Sequence, residues 1–253
     1  MRKNLKNNPK RKNEFEIPEE SLRVGVVQMT SGEDVSQNVE TVLQAFERLR
    51  SRRCDLICLP ENVLFFRGTG TIELHTFNLK ERFWGTFQEY ADANECMIFF
   101  GSIPLRVRSH RVNATVLVRP QKKPQVVYEK IHLFDANVEG APVQRESDLF
   151  KHGAKPKLLS HRGWNIGLSI CYDVRFAELY AYYARKNAHL ILVPAAFLVP
   201  TGRDHWQVLL RARAIESQAY VVAAAQCGKH GSVQGQQRET YGHSLVADPW
   251  GRL

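Results

Sequence analysis

No stretch of this 253-residue chain stays apolar for the roughly 20 residues that a membrane-crossing helix needs, so no membrane span is expected. The basic N-terminal segment lacks the apolar core of a secretory leader. Cysteine is scarce: Cys54, Cys58, Cys96, Cys171 and Cys227 are an odd number, and most sit inside apolar stretches. That distribution argues against a disulfide framework and for a reducing compartment, the cytoplasm. Cys54 and Cys58 have no second Cys or His pair beside them, so a zinc site is not expected. The chain also lacks a glycine-rich phosphate loop, which speaks against ATP-dependent chemistry.

Acidic residues are missing from the first twelve positions, where Arg2, Lys3, Lys6, Lys10, Arg11 and Lys12 account for much of the formal charge of +9. Glu14, Glu16, Glu19 and Glu20 follow and partly offset them. Nothing in this segment can bury apolar surface, so residues 1–20 are expected to form a disordered basic tail. The remaining positive charge is interspersed with acids and has no aromatic interleaving, so nucleic acid is not an expected partner. With 43% hydrophobic residues, the remainder suffices for one sizeable α/β core, taken as a single domain over 21–253.

Within that domain, apolar runs of strand length alternate with amphipathic segments. The runs 22–29, 55–61, 96–103, 189–197, 220–227 and 243–249 read as strands, most of them buried. Residues 111–118 and 125–130 read as an antiparallel pair across a polar turn. Helical spacing is clear for Val35, Val39, Val42, Phe46 and Leu49, for a segment around 80–93, and for 205–218. Residues 133–156 read as a long irregular stretch, and RETYG (238–242) as a loop. Two halves of similar rhythm, 22–103 and 163–249, suggest one sheet on each side of a sandwich.

Three polar residues end otherwise apolar strands: Glu61 after Pro60, Lys130 after QVVYE, and Cys171 after NIGLSI. Each has a plain structural reading: a turn cap, a solvated strand end, and a buried small hydrophobe. Strand C-terminal ends are nevertheless where open α/β sheets build their sites, and these three types together make a covalent catalyst. In that reading Cys171 attacks a carbonyl carbon, and Glu61 moves the protons. Lys130 and the Tyr172 backbone N–H hold the oxyanion. A helix from Phe176 onward, with Leu179, Tyr182 and Tyr183 on one face, would place Cys171 near a helix N-terminus. That position, with Lys130 nearby, is expected to favour the thiolate.

LPEN (59–62), YEKIHLFD (128–135) and LSICYDVRFAELY (168–180) resemble, in this order, the Glu, Lys and Cys signatures of the nitrilase superfamily of carbon–nitrogen hydrolases. HWQVLLRARAIESQAYVVAAAQCGKHG and YGHSLVADPWG resemble its Nit branch of deaminated-glutathione amidases and ω-amidases. The resemblance implies an αββα sandwich and a Glu61–Lys130–Cys171 triad. It also implies neither metal nor organic cofactor, a small amide substrate, and a homodimer or larger homo-oligomer of four-layered sandwiches. GAPVQRESDLF (140–150) resembles the segment that carries a further glutamate, making Glu146 the candidate for supporting Lys130. Arg175 is placed either against a substrate carboxylate or against Asp173 or Glu178. His132 and His205 are candidates for the pocket lining, whose walls should come from 62–78 and 133–150. The chain stops at DPWGRL, where relatives continue through another strand and a tail, so a weakened assembly is expected. The implied function is hydrolysis of a small carboxylate-bearing amide through a cysteine thioester. An ω-amidase, a carbamoylase or a non-catalytic binding partner are the alternatives.

Overall fold

Residue alternation along the buried strands decides the layering. The computed structural model describes residues 18–68, 73–139, 143–231 and 238–253; most of the tail expected over 1–20 lies outside the described residues. The first sheet contains β1 (Val24–Val26), β2 (Leu56–Cys58), β3 (Met97–Val107), β4 (His110–Arg119) and β5 (Lys122–Glu129), in that spatial order. β1, β2 and β3 are parallel, and β4 and β5 continue as an antiparallel meander. A short ribbon of β6 (Asp135–Ala136) and β7 (Gln144–Arg145) lies in the connection to the second sheet. That sheet is built from β8 (Lys157–His161), β9 (Trp164–Leu168), β10 (Leu190–Leu192) and β11 (Tyr220–Ala223). The chain then forms a ribbon of β12 (Cys227–His230) and β13 (Arg238–Tyr241) before returning as β14 (Leu245–Ala247). The spatial order is β14-β11-β10-β9-β8, with β9, β10 and β11 parallel.

On β2, Leu56 and Cys58 point between the sheets, where Phe99, Leu117 and Tyr128 meet Ile166 and Leu168 of β9. Ile57, with Ile98 and Phe100, faces the other way and packs under α1 (Val35–Arg50) and α2 (Phe83–Asn94) through Phe46, Trp84 and Phe87. Asp34 caps α1 by accepting from the Gln37 N–H at 3.1 Å, a contact worth about 1 kcal/mol. The outer face of the second sheet is covered by α3 (Ala177–Arg185) and by the helical segment of α4 (Val199–Thr201), a π-helical turn (Gly202–Trp206) and α5 (Gln207–Ser217). Tyr183 of α3 lies flat against Gly167, where an added Cβ would meet its ring at 3.0 Å. The result is an αββα sandwich, as expected.

The differences from the sequence reading lie where long-range pairing decides. The run 22–29 pairs as a strand only over Val24–Val26, and Met29 bridges instead to Gln226 of the second half. The run 220–227 divides into β11 and the start of β12. RETYG (238–242), expected as a loop, forms β13 over its first four residues; these carry no hydrophobic alternation, and only the ladder with β12 makes them a strand. Residues 133–156, expected as an irregular stretch, contain the β6–β7 ribbon, and β8 likewise forms by its pairing with β9. Among the described residues no helix is long and apolar enough to cross a membrane.

Candidate active site

The sheet topology brings three strand ends to one place. β5 is antiparallel to β4, which is antiparallel to β3, so β5 runs with β1 to β3 and its C-terminal end shares their edge. Glu61 follows β2, Lys130 follows β5, and Cys171 follows β9 of the facing sheet. All three are buried and line one cavity of about 170 Å³. The described walls of that cavity come from Phe65, Arg67 and Leu74 on one side and from Phe134, Arg145, Glu146 and Phe150 on the other. These are the two segments the sequence reading named.

Lys130 Nζ donates to Glu61 Oε1 at 2.8 Å and to Glu146 Oε2 at 2.7 Å. Asn113 on β4 joins the two carboxylates, its Nδ2 donating to Glu146 Oε1 at 2.8 Å and to Glu61 Oε1 at 3.2 Å. Burial pushes the Lys130 pKa down, but Glu146 and Glu61 outweigh it and the net shift is upward, so the ammonium is retained. Two of its three N–H groups are taken by carboxylates, which leaves one for the cavity. The Glu61 carbonyl accepts from Gln226 Nε2 at 3.0 Å, and the same amide bonds Ser31 Oγ at 2.7 Å. The turn carrying Glu61 is thereby tied to the segment that leads into β12. Asn113 and Gln226 were not recognised from sequence, since a polar residue within an apolar strand reads as an ordinary satisfied side chain.

Cys171 sits on a sharp bend with φ +48°, a left-handed conformation that non-glycine residues seldom adopt. Its N–H donates to Pro194 O at 2.8 Å. A 3₁₀ turn over Cys171–Arg175 separates it from α3, which begins only at Ala177. The expected thiolate is overturned here. Burial pushes the Cys171 pKa well up, the Glu61 charge adds to that, and Lys130 and the Ala196 N–H only partly oppose it. The resting group is a thiol within hydrogen-bonding reach of the Glu61 carboxylate. The Tyr172 N–H, in the first turn of the 3₁₀ segment, has no acceptor among the described residues.

Asp173 holds the bend. It is fully buried and accepts from Ile170 N at 2.9 Å and Tyr128 Oη at 2.7 Å through Oδ2. Oδ1 takes the His132 N–H at 2.9 Å and lies 2.7 Å from His132 Nδ1. His132 is therefore committed to Asp173 and stacks on Phe176 with centroids 3.6 Å apart; it does not line the cavity. Arg175 does not pair with Asp173 or Glu178. It rests against Tyr172 and Phe197, contacts His205 Nδ1 at 3.3 Å, and borders a small recess beside Cys171. His205 is exposed and lines neither space.

The cavity also holds Arg67, Arg145 and Arg238. Sequence reading missed all three, because a lone arginine in a polar segment has no local signature. Among the described residues no group of three His, Cys, Asp or Glu side chains is arranged to hold a metal ion.

The sequence profile of the carbon–nitrogen hydrolases matches residues 23–253. A deaminated glutathione amidase from Synechocystis sp. is 38% identical over 234 residues, 89% of this chain and 83% of its own. The crystal structure of the C. elegans NitFhit protein superposes with a TM-score of 0.76 at 34% identity; the match covers 90% of this chain and 56% of that one. Saccharomyces cerevisiae Nit3, a member of branch 10 of the nitrilase superfamily, superposes with a TM-score of 0.74 at 27% identity, over 91% of this chain and 83% of its own. With the profile spanning nearly all of the described fold, the chain belongs to the carbon–nitrogen hydrolase family of the nitrilase superfamily and is a hydrolase acting on amides.

Proposed function

We propose that the chain hydrolyses a small carboxylate-bearing amide, of the deaminated-glutathione type, through a thioester on Cys171. The observation that carries this reading is the contact of one buried ammonium, Lys130, with two carboxylates beside a neutral thiol in a single cavity. Sγ attacks the carbonyl carbon as the thiol proton passes to Glu61, and the C=O electron pair moves onto oxygen. The free N–H of Lys130 and the Tyr172 amide stabilise that oxyanion. Collapse breaks the C–N bond while Glu61 returns the proton to the leaving nitrogen, giving free amine and a thioester. Water then attacks with Glu61 as base; the acid product departs and the thiol regains its proton. Glu146 positions Lys130 throughout. The substrate class is supported by the Synechocystis relative and by the arginines around the cavity. Short ω-amides of dicarboxylic acids are the second reading, favoured by the small cavity volume of about 170 Å³.

Association into a homodimer or larger oligomer belongs to the same reading. It is supported by exposed Val208 and Ile215 on α5 and by exposed Trp250, next to Gly251, which packs against Ile215. The unpaired cysteines are in keeping with a cytoplasmic setting.

Deaminated glutathione hydrolysis by the wild-type chain is the direct test, with Cys171→Ala and Glu61→Gln alongside. Both substitutions are expected to lower kcat by roughly 10³-fold or more. Mass spectrometry of quenched wild-type enzyme should show the acylated cysteine. Substantial turnover by folded Cys171→Ala would refute the mechanism.

A further inference from the structure

Within the reactive cavity the charges do not balance. Its two described carboxylates, Glu61 and Glu146, are both engaged by Lys130 and Asn113. Arg67, Arg145 and Arg238 make no ion pair with any described carboxylate. Arg238 is the most constrained. Its guanidinium lies 4.7 Å from the Phe66 ring centroid, and Phe66 stacks in turn on His230 with centroids 3.8 Å apart. His230 is fixed by Ser31 O and Thr240 Oγ1, each at 2.7 Å. Burial pushes the His230 pKa down to about 4, so the imidazole beneath the stack is uncharged at neutral pH and does not repel the guanidinium.

The segment bearing Arg67 is locked to the same wall. The Arg238 N–H donates to Gly68 O at 3.3 Å, and a Cβ on Gly68 would stand 2.5 Å from the Gly231 backbone. No residue larger than glycine allows the two arginine-bearing segments this approach. Yet Arg238 Nε, buried and held in place, has no hydrogen-bond partner among the described residues. A charged donor left unpaired in the wall of a reactive cavity costs stability unless an acceptor arrives with the ligand.

We propose that Arg238, with Arg67 beside it, anchors the remote carboxylate of the amide substrate and so sets the acyl chain against Cys171. The proposal rests on the amidase reading above and names the residue that selects its substrate class. The planar fork of Arg238 matches a carboxylate in two parallel hydrogen bonds, and Phe66 fixes the plane of that fork. A neutral amide of the same length would reach Cys171 without this contact and leave Nε unpaired.

The test uses glutaramate, whose acyl chain ends in a carboxylate, and butyramide, whose chain does not. Wild type is expected to prefer glutaramate. Arg238→Gln should raise the KM for glutaramate by about 10- to 100-fold with little change in kcat, and leave butyramide unaffected. Arg238→Lys, which keeps the charge and loses the fork, should fall between. Calorimetric binding of glutaramate to Cys171→Ala, with and without Arg238→Gln, reads the same contact without turnover. Equal wild-type use of both amides overturns the proposal, as does an unchanged glutaramate KM or Kd in Arg238→Gln. An equal loss on both amides in a folded variant would assign Arg238 a structural role instead. Turnover of no amide by wild type would count against the amidase reading, while the calorimetry would still decide the role of Arg238.

Discussion

Burying Lys130 between two carboxylates fixes the charges around Cys171. The ammonium is held charged, and Cys171 is held neutral by burial and by the Glu61 carboxylate within reach of its thiol. A preformed thiolate would need more positive charge close to Sγ than Lys130 supplies after its own pairing. His230 shows the same economy of charge at the opposite wall. Its pKa is about 4 in the fold and 6.5 when unfolded, so the unfolded chain takes up the proton first. The stability this neutral imidazole contributes is present above pH 6.5 and is lost as pH falls from there to about 4. The total is about 3 kcal/mol. Urea midpoints measured at pH 7 and pH 4.5 should fall less in His230→Gln than in wild type. Equal falls in the two proteins would remove His230 from the account.

At the level of elements, the important junction is between the end of β5 and the bend after β9. Asp173 joins them by binding Tyr128 of β5, His132 just beyond it, and Ile170 before the bend. Lys130 lies between Tyr128 and His132, so the same clamp sets the position of its ammonium relative to Sγ. Asp173→Ala would leave a buried hydroxyl, a ring nitrogen and two amides without their acceptor. We expect a loss of about 3 kcal/mol or more in chemical denaturation and a fall in kcat from the displaced strand ends. Asp173→Asn keeps one acceptor oxygen and should be intermediate. A wild-type denaturation midpoint for folded Asp173→Ala would show that the clamp is dispensable.

For the molecule as a whole, the outer face of the second helical layer is the unusual surface. Val208 is 66% exposed, Ile215 51% and Trp250 76%. Arg211, between the first two on the helix, holds the C-terminal turn in place through Gly251 O at 2.6 Å. Apolar side chains clustered and fixed this way are expected to be covered by a second copy of the chain. Sedimentation equilibrium should find a dimer or larger species, and Ile215→Glu with Trp250→Glu should shift it to monomer. A monomeric wild type at tens of micromolar would overturn the association.

The layered fold was legible in the chain alone, as were the three polar residues that end its apolar strands. Strands buried on both faces must be continuously apolar, so a Glu, a Lys or a Cys at their ends is conspicuous, and helices betray their buried face by spacing. Glu61, Lys130, Cys171 and the two halves of the sandwich were readable for that reason. Tertiary structure alone decided what surrounds them. Asn113 and Asp173 acquire their roles from partners up to 52 and 45 residues away in the chain. β13 exists only because β12 pairs with it, and it carries Arg238 to the cavity wall. The protonation of Cys171 was decided there too, because burial and the Glu61 charge act through space and outweigh the helix end that local sequence suggested.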